Sequence, residues 1–484
     1  MKREAIWKED LKITEETIPF EQDLAVDILI IGAGLSGMSC AMNLLNSNKK
    51  IAIIEKEHVG EGITSLSTGK LDFMQGLVYH KIINVRSFLD AKLYYESQMD
   101  AINLATQIIN DYHINCNYVK TNGYVFTNDE KEIPTFQKEI SFYEKMGIPY
   151  EEITRLPNGY PCLYGIKTMG SAVIHPLKYL LELKKIVEKK IPIYEKVTAK
   201  EIKRSYGKFK VTTSKGILWA KKVIVCTHYP FFIKPAYIPF KTHIEKSYVL
   251  ASKTNKIYKM HAITSKKPIT SMRYYKNDVF LMATNSHTTS SKDDDKKHFQ
   301  DLENEYLSHF DGKITHIWST HDIMTSDHLP YIGKIDTNLF LATGFNKWGM
   351  TNGILSGKIL ADLVFNKKNK YMDLFSLSRK QTPKKFVNLM VSNFQTSKTF
   401  VSMKLEKNKN FYQRAKVIKE NGKDIGVYSD GKKEYRVYNK CPHMGCSLLF
   451  NEGDKTWDCP CHGSRFTIQG DVISGPSTYS IRIK

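Results

Sequence analysis

Cysteine is scarce in this chain: eight in 484 residues, and half of them fall within the last fifty. That excludes the dense disulfide framework of a small secreted domain. No run of eighteen apolar residues occurs, so no segment reads as a membrane-spanning helix. The opening Met1-Lys-Arg-Glu-Ala-Ile-Trp lacks the apolar stretch of a signal peptide, which makes the cytoplasm the expected location. Acidic residues are in short supply, 50 Asp and Glu against 71 Lys and Arg, for a formal charge of +21. The lysines are spread along the chain, and no basic stripe with a reading motif points to nucleic acid. A solvated lysine-rich surface is expected, with attraction to an acidic partner or an anionic membrane surface as the alternative. Internal repeats, a Ser/His/Asp triad and a second glycine fingerprint for a separate NAD(P)H site are also missing. The length implies two to four domains, and 42% apolar residues suffice for packed cores.

Two constellations stand out. Near the start, Asp27-Ile-Leu-Ile-Ile31 reads as a strand buried on both faces. Gly32-Ala-Gly34-Leu-Ser-Gly37 follows, then a helix from Met38 to Leu45. Gly32 permits a tight turn, Gly34 lets backbone approach a pyrophosphate, and Gly37 lets helix pack on strand. The helix N-terminus offers free N–H groups to phosphates. A second strand, Ile51 to Ile54, ends in Glu55, whose carboxylate can accept from ribose hydroxyls. This pattern predicts dinucleotide binding without separating NAD from FAD.

Near the end stand Cys441-Pro-His443-Met-Gly-Cys446 and Cys459-Pro-Cys461-His462-Gly-Ser464-Arg-Phe466. Each arm offers one thiolate and one imidazole: Cys441 with His443, Cys459 with His462. A [2Fe–2S] cluster with two Cys on one iron and two His on the other needs that set. Tetrahedral zinc would also accept it, although the further cysteines Cys446 and Cys461 weigh against zinc.

The C-terminal arms resemble a Rieske domain, from about Asn408 to the end, with Gly475-Pro476 matching the proline loop beside the cluster. That resemblance implies a disulfide between Cys446 and Cys461, tying the two cluster loops. Ser464 matches a residue that hydrogen-bonds cluster sulfide, while Phe466 stands where high-potential relatives carry Tyr. A lower potential is expected from that departure.

The rest resembles the D-amino-acid oxidase-like family of FAD-dependent oxidoreductases, over roughly 20 to 366. Gly60 to Lys70 looks like its small-residue segment, and Asp327-His-Leu-Pro-Tyr-Ile-Gly333 with Ala342 to Gly353 like its closing flavin motif. The resemblance implies FAD contacts at Gly32, Gly34, Leu35, Ser36, Gly37, Glu55 and Lys56. Further contacts are implied at Ser65, Thr68, Gly69 and Lys70, and at Val197 and Thr227 in the middle of the chain. The closing motif would add Gly333, Gly344, Gly349, Met350 and Thr351. Arg273, Lys347 and Trp348 are the candidate catalytic residues. His287, Trp318 and His321 could line the pocket, with a structural role as the alternative.

The expected fold is an α/β Rossmann-like FAD-binding domain interleaved with an α+β antiparallel-sheet substrate domain, followed by an all-β Rieske domain. FAD-binding segments are expected at about 20–80, 160–230 and 325–366, within an oxidoreductase part spanning 1–366. The substrate domain would take about 81–159 and 231–324, residues 367–407 a linker, and 408–484 the Rieske domain. Within the linker, Phe386, Leu389, Met390 and Phe394 could form an apolar helical face.

With FAD and a [2Fe–2S] cluster on one chain, the expected activity is a dehydrogenase acting on a small amine or amino-acid-like substrate. Electrons would leave singly through the cluster to an external one-electron carrier. The cluster edge at His443 and His462 is the expected exit. A reductase running the other way and a non-catalytic redox sensor are the alternatives.

Overall fold

Strand β1, Leu24–Ile31, sits at the centre of the first sheet. Ile28, Leu29, Ile30 and Ile31 are each at most 3% exposed, so both faces of the strand are covered. Each such side chain contributes about 1.5–3 kcal/mol by leaving water. β1 pairs in parallel with β2, Ile51–Ile54, on one side and with the strand Ile217–Val225 on the other. That strand pairs in parallel with Leu339–Thr343. Helix α1, Leu35–Leu44, follows β1 directly. A Cβ on Gly37 would lie 1.9 Å from the Gly32 carbonyl oxygen, so only glycine lets the helix start this close to the turn.

The structure, a computed structural model, describes residues 1–9, 11, 17–20, 23–276, 278–288, 295–379 and 415–483. A long helix spans Phe88–Asp111, with the Ser87 hydroxyl accepting from the Asp90 N–H. The short strand Ile193–Tyr194 pairs in parallel with β2.

A second sheet of nine strands lies over the first domain. Its edge runs Ile314–Thr325, Thr242–Lys253, Val279–Thr288, Ser271–Tyr275, all antiparallel. One pair departs from the antiparallel expectation, since Met260–Thr264 runs parallel to Val119–Thr127. The strands Tyr164–Val173 and Lys70–Leu71, expected in the nucleotide-binding part, also join this sheet.

The C-terminal part is all β. Ala415–Glu420, Lys423–Ser429 and Glu434–Tyr438 form one antiparallel sheet. Leu449–Asn451, Thr456–Asp458, Arg465–Thr467 and Val472–Ser474 form another. Between the parts, the chain is anchored as far as Arg379, whose buried guanidinium grips Asp327 at 2.7 and 2.8 Å. The apolar face at Phe386, Leu389, Met390 and Phe394 lies outside the described residues. Among the described residues no helix is long and apolar enough to cross a membrane.

Candidate functional site

A cavity of about 360 Å³ opens between the two large sheets and the C-terminal domain. The first sheet's turn reaches it through Gly32, Gly34, Leu35 and Ser36, and β2 through Glu55 and Lys56. Thr68, Lys70, Val197 and Thr227 also line it, as do Lys347, Trp348, Gly349 and Met350. The remaining candidates lie behind this wall. Gly37, Ser65, Gly69, Gly333 and Gly344 are not lining residues, and Thr351 is fully buried with its hydroxyl directed to the Asp72 carbonyl at 3.4 Å.

Two helices meet the cavity with their N-termini. Neither α1 nor the helix Gly349–Val364 is capped by its own N-cap side chain, although the Leu35 N–H at the start of α1 donates to the Thr64 hydroxyl at 3.1 Å. Such ends attract negative charge. Glu55 sits beside the first of them, accepting from the Ala33 N–H at 2.7 Å, and burial raises its pKa.

Arg273 is not where the sequence reading puts it. Its guanidinium is 1% exposed and donates to the carbonyls of Thr68, Gly69 and Ile174, stitching a loop to the second sheet. A guanidinium committed to backbone carbonyls has no fork left for a substrate carboxylate. Trp318 donates to the Leu66 carbonyl at 3.0 Å, and His287 contacts the Tyr248 hydroxyl at 2.9 Å.

The wall formed by the second sheet carries polar residues that the sequence reading missed. Ser247, Ser271, Thr284, Thr320 and Asp322 all face the cavity. Only strand alternation could have found them, and it does not say which face meets a ligand. Asp322 is half-buried, and burial raises its pKa to about 6 against the pull of nearby Lys347. Lys347 itself pairs with Glu245 at 2.7 Å. Burial lowers the pKa of Lys70 to about 8, and its ammonium lies 5.4 Å from the centre of the Trp348 ring.

The two C-terminal arms form facing loops. Cys441 N–H donates to the Cys446 carbonyl at 2.8 Å, and Cys459 N–H to the Ser464 carbonyl at 2.7 Å, closing each into a tight turn. A disulfide joins Cys446 to Cys461. The rings of His443 and His462 stand 5.1 Å apart, and neither ring nitrogen of His443 nor Nδ1 of His462 has a hydrogen-bond partner. Burial lowers their pKa values to about 4 and about 3, leaving neutral imidazoles able to ligate metal. The Cys441 and Cys459 thiols are close enough to share a hydrogen bond, which lowers Cys441 to about 7. Behind them the loop at Gly475 packs so closely that a Cβ would lie 2.5 Å from Ser464 Cα, at φ +97°.

The family model described as FAD dependent oxidoreductase matches residues 27–363. The chain belongs to that family. A second model, the Rieske [2Fe-2S] domain, matches residues 401–483. A Rieske 2Fe-2S iron-sulfur protein of Bacillus subtilis, YhfW, is 30% identical over 94% of this chain and 93% of its own length. The Escherichia coli gamma-glutamylputrescine oxidoreductase is 20% identical over 72% of this chain and 86% of its own. Glycine oxidase from Geobacillus kaustophilus superposes with a TM-score of 0.63 at 19% identity, covering 74% of this chain and all of that one.

The cofactors of this family member are FAD and a [2Fe–2S] cluster, and the side chains suit both. Two helix N-termini and Glu55 at one cavity suit a dinucleotide. The partnerless imidazole nitrogens of the two loops and the neighbouring Cys441 and Cys459 thiols suit a cluster with mixed ligands. Cys446 and Cys461, bonded to each other, are excluded as ligands.

The histidine edge expected as the exit is only partly open, with His443 half-buried. His462 is 8% exposed, and the His443 ring faces the Tyr229 ring of the oxidoreductase part at 6.4 Å. The second cluster loop rests on the strand Thr242–Lys253, where Gly463 meets Ile244. That loop is a docking surface, which covers the His462 side of the edge.

Proposed function

We propose that the protein is a dehydrogenase that oxidises a small amine or amino-acid-like molecule and passes the electrons singly to an external one-electron carrier. The observation that carries this reading is the shared cavity. The dinucleotide turn at Gly32 to Ser36 lines one side, and Ser474, Gly475 and Ser477, beside the cluster loops, line another. When bound, FAD supplies acceptance of the hydride from the carbon that bears the amine, and the cluster supplies one-electron transfer.

The chain's own residues would do the rest. Gly32, Gly34 and the α1 N-terminus would hold the pyrophosphate, and Glu55 the ribose. Cys441, His443, Cys459 and His462 would hold the cluster. Asp322 would receive the substrate's ammonium group and take its proton, since C–N oxidation needs a neutral amine. A carboxylate with a pKa near 6 is ionised at neutral pH and a better base than an ordinary Asp. Trp348 and Lys70 would line the same pocket. Relatives named for glycine, L-amino acids and gamma-glutamylputrescine support an amine-bearing substrate.

The test is anaerobic mixing of the oxidised protein with a panel of amines and amino acids. Flavin absorbance and the cluster EPR signal are followed together. Bleaching of the flavin, then growth of the cluster signal, is the expected result. If no amine bleaches the flavin while a ferredoxin-like donor reduces the cluster first, the reductase direction replaces this reading.

A further inference from the structure

The Rieske domain is joined to the oxidoreductase part by charged side chains that the joint itself buries. Lys246, 3% exposed, donates to Asp295 at 2.5 Å and to Asp454 at 2.7 Å. Asp454 also accepts from Ser319 at 3.0 Å and from Arg465 at 2.6 Å. Asn451 donates to Asp295, and Arg3 to the Gly453 carbonyl. At the other end of the joint, Lys56 donates to the carbonyls of Val472 at 3.0 Å and Ile473 at 3.2 Å. Lys56 was expected on the nucleotide. Its ammonium serves the joint.

Charges shut away from water are costly unless each keeps its partner, so a network of this kind selects one docked geometry over its neighbours. In that geometry Tyr229 is 3% exposed and lines the cavity, while its ring also faces His443. One aromatic side chain thus touches both the space for the flavin and a cluster ligand.

We propose that the Rieske domain works in this docked position, and that electrons cross between the two redox sites at the Tyr229–His443 contact without domain movement. The origin of the electrons rests on the dehydrogenase reading; their path does not. One substrate oxidation releases two electrons and two protons. Each crossing removes one electron from the flavin site and adds one to the cluster. The external one-electron carrier removes it before the second crossing, and the protons leave through the cavity. Tyr229 keeps its own proton and is a contact, not a redox partner. The carrier meets the rim that stays exposed beside the first cluster loop, at Lys440 and Pro442.

The experiment uses the full-length holoenzyme with its flavin photoreduced by light and EDTA, so that no amine is needed. Cluster reduction is followed by absorbance and EPR. In the double variant Gly453→Cys/Asp295→Cys, a Cβ at position 453 lies 2.9 Å from that of residue 295. A disulfide there needs a shift of under ~1 Å. The oxidised, cross-linked protein is expected to reduce its cluster as fast as its thiol form; arrest on cross-linking overturns fixed docking. Tyr229→Leu is expected to slow the crossing by about tenfold or more, with cluster potential and EPR spectrum unchanged and Tyr229→Phe near the parent rate. A Tyr229→Leu protein that matches the parent rate overturns the path. If photoreduced flavin feeds the cluster normally while no amine reduces the flavin, the dehydrogenase reading fails and the docking stands.

Discussion

Replacing Asp322 by Asn removes a carboxylate whose pKa burial raises from 3.8 to about 6. At 1.36 kcal/mol per pH unit, that shift amounts to about 3 kcal/mol of unfavourable charge in the folded state. The folded protein holds the proton more tightly than the unfolded chain does. The cost is therefore absent below about pH 4, grows through the interval, and is complete above about pH 6. Asp322 faces a cavity that water enters, so the expected gain from Asn is smaller, about 1–3 kcal/mol at pH 7.5 and none near pH 4. Catalysis should move the other way. Loss of a proton acceptor lowers kcat/KM for an amine by about 10²–10⁴-fold, and the acid limb near pH 6 disappears. Urea denaturation at the two pH values, alongside a pH–rate profile, measures both. A variant whose gain over the parent is no larger at pH 7.5 than at pH 4, or one that keeps the acid limb, refutes the reasoning.

Cys446→Ser opens a loop of 15 residues between the cluster arms, for a cost of about 3 kcal/mol, read as earlier loss of the Rieske EPR signal on heating. An unchanged loss temperature would show that the arms hold without the bond. Phe466→Tyr is expected to raise the cluster potential, because an added hydroxyl donor near the cluster stabilises the reduced charge. Spectroelectrochemical titration gives the sign directly, and a lower potential removes this explanation. Arg273→Lys should lower the melting temperature while leaving KM for the substrate in place, since the guanidinium holds the carbonyls of Thr68, Gly69 and Ile174. A large rise in KM with unchanged stability would return Arg273 to the pocket.

Much of the site was legible in residue order because the relevant spacings are local. The turn from Gly32 to Gly37 closes within one strand–helix junction, and its close packing depends on residues that are neighbours in sequence. The cluster arms are similar: Cys441 with His443 and Cys459 with His462 each lie on one tight turn. The flavin motif around Lys347 and Trp348 also reads locally, as a strand end followed by a helix start.

Asp322, Arg273 and Tyr229 illustrate the opposite case. Asp322 sits on an alternating strand, and which face meets the cavity depends on how Ile314–Thr325 pairs with Thr242–Lys253. Arg273 looked like a ligand-binding fork, yet chain segments roughly 100 and 200 positions away supply the carbonyls that occupy it. Lys246 reads as one lysine among many until burial places it between Asp295 and Asp454.

By itself the sequence determined the two cofactor-family motifs, since each rests on spacing within a few residues, and it nominated Cys441, His443, Cys459 and His462 as cluster arms. Tertiary structure decided which side chains are spent on the backbone, which face the cavity, and that the His443 ring lies against Tyr229. Those outcomes depend on long-range pairing and on burial. Burial changes the cost of a charge by several kcal/mol, and local sequence does not carry that quantity.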